Sequence, residues 1–232
     1  MPKSISKLKD NINNNYYKAY EKRYRQVYEH NYLWSSKEPT PEVIETINNE
    51  NILINSKILE LGCGEGRDAI FLLNKNYNVT AIDYSNTVIK KCKELSNYKY
   101  NDKFKQLDII NDTLKDTFDF IHMFVNETHR KKFYSFIYEH LKTNGIALIV
   151  SMGDGINEYN SDISKSFSNV ERVVINNGEK ISIAATSCKI VNWCTFEQEI
   201  LNNNLIIKKK WISNKIPEFN LAMCVIVCRS DK

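Results

Sequence analysis

Several features are missing from this sequence, and each absence excludes a class of protein. No apolar run approaches the roughly 18 residues that a membrane-spanning helix requires, and no apolar segment of the secretion-signal kind is present. The six cysteines form no paired C-x-x-C arrangement, which disfavours zinc, so no metal site is predicted. A cytoplasmic protein without a membrane partner is therefore expected.

The sequence also lacks a concentration of positive charge. Its net charge is +4, and the basic residues are distributed along the chain, whereas nucleic-acid-binding proteins usually carry a clustered basic surface. The one compact basic run, Lys208-Lys209-Lys210, is interpreted as a solvated strand end. A nucleic-acid partner is therefore not expected.

Internal repeats and low-complexity linkers are absent as well, so we expect a single domain over residues 1–232. This length is enough to bury a sizeable core. The 42% of hydrophobic and 26% of charged residues are ordinary for a globular protein. The chain carries no signal for its oligomeric state.

The most informative stretch runs from Lys57 to Asp83 and reads KILELGCGEGRDAIFLLNKNYNVTAID. A short apolar run is followed by a glycine cluster, a helical pattern and a second apolar run that ends in an acid. Glycines allow a sharp turn and a close approach of ligand atoms, and the following helix presents unpaired N–H groups. Together these elements predict the βαβ unit that binds an adenosine-bearing cofactor.

The spacing of the glycines distinguishes between cofactors. Asp83 lies 21 positions after Gly62, close to the spacing of about 20 expected of an acid that binds ribose hydroxyls. A dinucleotide site has the pattern G-x-G-x-x-G, which would place a glycine where this chain has Arg67. The third glycine is Gly66 instead, and the observed pattern is E-x-G-x-G-x-G.

This pattern resembles the first motif of the class I S-adenosylmethionine-dependent methyltransferases, and Asp83 resembles their second motif. The resemblance implies a Rossmann-like α/β fold with a mostly parallel seven-stranded sheet, helices on both faces and an antiparallel last strand. It also implies S-adenosyl-L-methionine as the cofactor and S-adenosyl-L-homocysteine as the product. A tight turn in some other α/β protein is the alternative. The residues of the first motif expected to contact the cofactor are Glu60, Leu61, Gly62, Cys63, Gly64, Gly66 and Arg67.

Later segments resemble further motifs of the same family. The resemblance implies that Tyr84 lies against adenine, that Asp108 accepts from the adenine amino group, and that Ile109 packs on the base. The sequence FDFI at 118–121 resembles the fourth motif, and the predicted strand over 118–123 ends near the methyl donor. Met123 is therefore expected to touch the cofactor or the substrate. The alternatives are a surface aromatic at position 84 and a loop-capping aspartate at position 108.

A helix with aromatic residues on one face is predicted upstream, from Asp10 to His30. The phrase EKRY…LW…PTPEV resembles the lead-in of small-molecule methyltransferases related to the thiopurine and tellurite-resistance enzymes. In that group the lead-in, here residues 10–40, closes over the cofactor, and Tyr24 and Trp34 would then flank it. Simple packing of the helix against the domain is an equal alternative.

Three side chains are candidates for acid–base chemistry near the methyl donor, namely His122, His129 and Asp154. A histidine can act as a general base because its ordinary pKa lies near neutrality. The alternatives are a structural hydrogen bond at His122 and a turn anchor at Asp154. A thiolate or amine acceptor needs little help from a base, so the family pattern demands no particular catalytic residue.

Beyond the predicted cofactor-binding core at 57–152, the family signature weakens. An insertion at 156–190 contains a polar loop and a predicted hairpin with strands over 171–175 and 181–185. Such enzymes place substrate-recognition elements at this point in the chain, so specificity is expected to depend on it.

The last predicted segment, residues 195–232, contains a helix and two strands. Thr195 and Gln198 fit the S/T-x-x-E/Q pattern of a capping box, which predicts the start of this helix.

These observations predict a methyltransferase that acts on a heteroatom (S, N or O) of a small molecule. An RNA or protein methyltransferase is the first alternative, although the N/D-P-P-Y/F motif of many base-amino methyltransferases is absent, since His122-Met123-Phe124-Val125 stands at that point. A non-catalytic module that binds the cofactor for regulation is the second alternative.

Overall fold

The computed structural model describes residues 18–125, 129–161, 171–176, 178–186 and 188–230. The predicted start of the first helix, at 10–17, lies outside these ranges, as do residues 162–168 of the polar loop predicted over 156–168. The helices are α1 (residues 18–29), α2 (Pro41–Asn49), α3 (Arg67–Asn74), α4 (Asn86–Leu95), α5 (Arg130–His140) and α6 (Trp193–Leu201). The strands are β1 (Lys57–Leu61), β2 (Asn78–Asp83), β3 (Phe104–Gln106), β4 (Phe118–Phe124), β5 (Leu141–Met152), β6 (Tyr159–Ser161), β7 (Glu171–Asn176), β8 (Glu179–Ala184), β9 (Cys188–Ile190), β10 (Leu205–Ser213) and β11 (Ala222–Arg229).

Seven strands form the central sheet in the order β10-β11-β5-β4-β1-β2-β3. The pairs β1–β2, β1–β4, β2–β3 and β4–β5 are parallel, whereas β11 runs antiparallel to both β5 and β10. The predicted fold class is therefore confirmed, including the antiparallel last strand. Two small antiparallel pairs, β6–β9 and β7–β8, lie outside this sheet.

The sheet separates two apolar layers because successive side chains of a strand point to opposite faces. Ile58 of β1 and Phe120 of β4 are register partners on one face, where they join a cluster with residues of α2, α3 and α4. Leu59 and Ile121 are register partners on the other face and cluster with residues of α5 and α6. All four side chains are essentially buried. Such burial on both faces explains why these parallel strands read as nearly continuous apolar runs.

The carboxyl ends of the parallel strands define the edge of the sheet where a ligand can bind. The chain leaves β1 and turns directly across the end of β2, where the Gly62 and Cys63 amides both donate to the Ile82 carbonyl at 2.9 Å. The end of β1 is thereby fixed beside Asp83 at the end of β2. Residues far apart in a βαβ unit thus come together at one point.

Helix α1 contacts the hairpin formed by β7 and β8. The Arg23 Nε donates to the Ala184 carbonyl at 2.9 Å, and the Gln26 Oε1 accepts from the Ala184 amide at 2.7 Å. Val27 is fully buried and packs in one apolar cluster with Ile181 of β8. The N-terminal lead-in and the downstream insertion are therefore in direct contact, although about 160 residues separate them.

Helix α6 begins differently from the sequence-based expectation. Asn192 is its N-cap, and the Asn192 side chain accepts a hydrogen bond from the Thr195 amide at 2.9 Å. The predicted capping box at Thr195 is therefore wrong, because Thr195 already lies within the first helical turn. Among the described helices, none combines the length and the apolar character needed to cross a bilayer.

Candidate active site

The turn after β1 presents bare backbone to the edge of the sheet. Gly62 and Gly64 have φ angles of 73° and 52°, in the left-handed region that favours glycine. A Cβ placed on Gly62 would meet no atom within 4 Å, and one placed on Gly64 would meet only the Tyr24 hydroxyl, at 3.5 Å. These two positions therefore leave space that a ligand can occupy close to the main chain.

Gly66 is required for a different reason. Its φ is 73°, and a Cβ on this residue would lie 3.0 Å from both the Cys92 Sγ and the Phe104 Cε1. Gly66 therefore lies against the interior of the protein rather than against the open space. It allows α3 to start at Arg67 directly beneath the turn, with the Gly66 amide donating to the Cys63 carbonyl at 2.9 Å.

Asp83 links the turn to the start of α4. Its Oδ2 accepts from the Gly64 amide at 3.0 Å, and its Oδ1 accepts from the Ser85 amide at 2.9 Å. Burial raises the pKa of Asp83 to about 6, and the two amide hydrogen bonds act in the opposite direction. The carboxylate thus stabilises the glycine turn and also lies in the wall of a cavity.

A first cavity of about 220 Å³ lies over the ends of β1 and β2. Its wall contains most of the residues that the sequence predicts for the adenosine half of the cofactor. The lining residues are Tyr20, Tyr24, Leu61, Gly62, Ile82, Asp83, Tyr84, Ser85, Leu107, Asp108, Ile109, Phe124 and Phe133.

A second cavity of about 520 Å³ adjoins the first, and the two share Tyr20, Tyr24, Gly62 and Phe124. It brings the glycine turn together with the lead-in, the hairpin region and the loop before β11. The remaining lining residues are Arg23, Tyr32, Trp34, Ser35, Glu60, Cys63, Gly64, Glu65, Arg67, Asp68, Met152, Val174, Thr186, Cys188, Glu218 and Phe219.

Glu65 connects the lead-in to the glycine turn (residues 62–66) through hydrogen bonds. Its two carboxylate oxygens accept from the Trp34 amide at 2.8 Å, the Ser35 amide at 2.8 Å and the Ser35 hydroxyl at 2.7 Å. Sequence reasoning missed Glu65, although it stands inside the glycine motif itself. Its charge at a motif position was the signal that could have identified it.

Arg67 connects the turn to two other segments. Its Nη1 forms an ion pair with the Glu218 Oε1 at 2.6 Å and donates to the Ser36 Oγ at 3.0 Å, while its Nη2 donates to the Thr40 Oγ1 at 2.5 Å. Arg67 thus lies in the second cavity wall, as a cofactor contact would require, and also positions the loop that carries Glu218. Glu218 itself carries no sequence signal, because its partner lies about 150 residues away.

Met123 does not lie where the sequence-based hypothesis needs it. The side chain is 1% exposed and belongs to the apolar layer that contains α5 and α6. It is paired in register with Leu61, and strand alternation turns it away from the face that holds His122. Within the described residues, Met123 lines neither cavity.

The three candidate acid–base residues are placed in three different environments, and none is among the residues that line the two cavities. His122 is fully buried on the α3 face, and burial lowers its pKa to about 4. Burial also lowers the pKa of His129, against the opposing influence of Asp108. Asp154 is half-buried and anchors a turn, its Oδ1 accepting from the Ile156 and Asn157 amides at 2.9 and 2.8 Å. The structure therefore gives no support to a shared catalytic role for these residues.

Comparison with known proteins decides the family. The family model described as tellurite resistance protein TehB matches residues 25–185, about two thirds of the chain. The chain belongs to the TehB family. The predicted membership of the class I S-adenosylmethionine-dependent methyltransferases, in the tellurite-resistance-like group, is thereby confirmed.

Among curated proteins, this TehB family member is 27% identical over 115 residues to a probable S-adenosyl-L-methionine-dependent methyltransferase TehB of Haemophilus influenzae strain 10810. The match covers 46% of this chain and 40% of the relative. The chain thus spans less than half the length of the curated relative that it matches.

Solved structures share the fold of this TehB family member at low sequence identity. A TehB-like methyltransferase of Corynebacterium glutamicum superposes with a TM-score of 0.55 at 15% identity, covering 91% of this chain and 96% of the other. CcbJ methyltransferase of Streptomyces caelestis gives 0.65 at 11% identity, with 92% and 98% covered. The glycopeptide N-methyltransferase MtfA in complex with S-adenosyl-L-methionine gives 0.60 at 16% identity, with 84% and 95% covered.

Proposed function

We propose that this chain is an S-adenosylmethionine-dependent methyltransferase whose cofactor extends across both cavities. Asp83 would accept hydrogen bonds from the ribose hydroxyls, with Tyr84, Asp108 and Ile109 around the adenine. The observation that carries this proposal is the open backbone at Gly62, beside the half-buried Asp83, which lines the same cavity.

The glycine turn and its surroundings would hold the methionine half of the cofactor. Glu60, Gly64 and Arg67 line the second cavity and offer a carboxylate, open backbone and a guanidinium there. These groups suit the amino and carboxylate ends of an amino acid, because each charge can meet its opposite. The backbone space over the glycines and the charged groups beside them both fit the cofactor.

When bound, the cofactor supplies an electrophilic methyl group on sulfur, and the protein's part is to position the acceptor and exclude water. Positioning alone can contribute about 7–11 kcal/mol to the lowering of a barrier. In this chain Tyr24, Trp34 and Phe219 give the second cavity apolar walls that displace water. We propose no obligatory base, because His122, His129 and Asp154 do not line the cavities.

We propose a small molecule with a nucleophilic S, N or O atom as the acceptor. The lead-in, the hairpin region and the loop carrying Glu218 surround the second cavity, which limits the size of an acceptor. A larger acceptor is the competing possibility, since the fold neighbour MtfA is named as a glycopeptide N-methyltransferase. We propose a reducing cytoplasm as the location, because the six cysteines form no disulfide within the residues that the structure describes.

Labelled cofactor tests the activity and the acceptor class together. The chain would be incubated with methyl-labelled S-adenosyl-L-methionine and separate panels of thiols, amines, hydroxyl compounds, glycopeptides, protein and bulk RNA. We expect label in small molecules. Label only in RNA or protein would overturn the small-molecule assignment, and tight cofactor binding without any turnover would favour a regulatory module.

A further inference from the structure

A compact polar cluster, formed by Glu60, Asp68 and His122, lies inside the protein beneath the glycine turn. Glu60 and His122 are register partners on the neighbouring parallel strands β1 and β4, so their side chains point to the same face of the sheet. Asp68 is the second residue of α3, which packs on that face. One potential ligand atom from each residue lies within 4.8 Å of those from the other two.

The cluster is buried and incompletely hydrogen-bonded. The three residues are 5%, 1% and 0% exposed, in the order Glu60, Asp68 and His122. Among the described residues, the two ring nitrogens of His122 and the Oε2 of Glu60 have no hydrogen-bond partner. Buried polar atoms are nearly always paired, so a group of them aimed at one point indicates a ligand.

The surroundings orient the ligand atoms. Asp68 accepts from the Thr40 amide at 2.6 Å and from the Thr40 hydroxyl at 2.7 Å, which leaves further lone pairs on both oxygens. The His122 ring stacks on Phe120, with ring centroids 5.6 Å apart. In known metal sites hydrogen bonds fix the direction of the ligating side chains. Asp68 has such bonds from Thr40, whereas the ring contact with Phe120 holds His122.

The carboxyl groups around the cluster outnumber the positively charged groups beside them, so a cation would be electrostatically favourable there. Glu60 and Asp68 can contribute two negative charges, and the nearby guanidinium of Arg67 lies 3.4 Å from the Asp68 Oδ1. Arg67 is also paired with Glu218, at 2.6 Å, outside the cluster. When all three carboxyl groups are ionised, the one arginine between them does not neutralise their charge.

We propose that Glu60, Asp68 and His122 bind one divalent first-row metal ion, with zinc as the first candidate. Two carboxylates and an imidazole form a donor set that suits such ions. Zinc bonds are about 2.0–2.2 Å long, so rotation of the side chains must bring the ligand atoms slightly closer together. No cysteine takes part, and for this reason the cysteine spacing could not reveal the site.

The ion would have an open coordination position toward the second cavity. Glu60 and Asp68 line that cavity, whereas His122 closes the site from the interior. Zinc sites with three protein ligands keep the fourth position for water or for a substrate group. The site would therefore add a Lewis-acidic group at one end of the cavity, where it would share Glu60 with the amino-acid end of the cofactor.

Metal titration of the full chain tests this proposal. Purified protein, stripped of metal by a chelator, would be titrated with Zn²⁺ in the absence of cofactor, and the bound metal would be counted by mass spectrometry. Co²⁺ would then replace zinc as a spectroscopic probe. We expect one equivalent of zinc and a cobalt spectrum of nitrogen and oxygen ligands without a thiolate charge-transfer band.

Two variants and a matched control assign the ligands. His122→Gln and Glu60→Gln should each weaken zinc binding by at least about tenfold, since even loss of an outer partner commonly costs 10- to 100-fold. His30→Gln is the control, because the His30 side chain is 40% exposed and lies near Glu179 rather than in the cluster. Circular dichroism would show that each variant is folded.

Three results would overturn the proposal. They are no zinc bound beyond background, equal affinity in the control and in both ligand variants, or a thiolate band that assigns the metal to cysteines. If both ligand variants fail to fold, the cobalt spectrum of the unmodified chain decides. Because no cofactor is present, failure here leaves the methyltransferase proposal unaffected.

Discussion

At the scale of single residues, the carboxylate of Asp83 has two partners on the protein and a free face toward the first cavity. It accepts from the Gly64 and Ser85 amides and still lines the open space. Burial raises its pKa to about 6, above the ordinary value of 3.8. A ligand whose hydroxyl groups donate hydrogen bonds to this carboxylate would favour its ionised form.

The raised pKa of Asp83 makes the folded state more stable, relative to the unfolded state, at acid pH than at neutral pH. Without ligand, the folded chain holds the Asp83 proton more tightly than the unfolded chain between about pH 4 and about pH 6. Over that window the contribution of Asp83 to stability is therefore present at the acid end and is lost as the pH rises.

The affinity of the chain for the cofactor should rise, rather than fall, as the pH rises. Because ribose hydroxyls bind the ionised form, affinity should rise by about tenfold between about pH 5 and about pH 7, as the Asp83 carboxyl loses its proton. Isothermal titration with S-adenosyl-L-homocysteine across this range would measure it. Asp83→Asn should bind more weakly and without this pH dependence, whereas Asp102→Asn, at an exposed carboxylate, should retain it. A flat profile for the unmodified chain would contradict the ribose assignment.

Residues of the candidate site differ in how far the sequence could predict them. The sequence could predict Asp83, Tyr84 and the glycines, because their positions are fixed by spacing within one βαβ unit. Glu218 could not be found, since it meets Arg67 only after the last loop has folded back onto the turn. The side of the sheet on which Met123 lies depends on the register of β4 against β1, which cannot be read from the sequence.

At the scale of elements, the turn from β1 into α3 depends on conformations that only glycine adopts easily. Gly66 combines a φ of 73° with close neighbours on Cys92 and Phe104. Gly178, in the turn between β7 and β8, has a φ of 85° but would place a Cβ in open space. Substituting each glycine in turn therefore separates two free-energy costs, that of the left-handed backbone conformation and that of crowding against neighbouring side chains.

Gly66→Ala should destabilise the chain more than Gly178→Ala. The left-handed conformation alone costs an alanine about 1–2 kcal/mol, and contacts of 3.0 Å add to this at Gly66 only. Urea unfolding of the two variants and of the unmodified chain would measure the difference. Equal losses of stability would show that the packing around Gly66 yields without cost.

Most of the helices and strands follow from local pattern, but their ends do not. The apolar runs of β1, β2, β4 and β5 identify buried strands. Ser85 caps α4, with its Oγ accepting from the Val88 amide at 3.1 Å. The start of α6 was wrong because Asn192 caps it three residues ahead of Thr195. When two residues close together in sequence could each cap a helix, the tertiary fold decides which of them does so.

At the scale of the whole molecule, contacts across the chain join the lead-in, the core and the hairpin around the same cavity. Glu65 holds the lead-in, Arg23 connects α1 to β8, and Arg67 holds the loop before β11. The sequence predicted each segment but could not predict these contacts, because each joins residues that are distant along the chain. That the four predicted segments act as one methyltransferase domain remains a proposal, supported by this shared cavity.

The most direct test of the central claim is a crystal structure with S-adenosyl-L-homocysteine bound. We expect the ribose hydroxyls to lie within hydrogen-bond distance of Asp83, the adenine between Tyr84 and Ile109, and the amino-acid end over Gly62 and Gly64. A ligand bound elsewhere, or crystals that take up a nicotinamide dinucleotide in these cavities instead, would contradict the account.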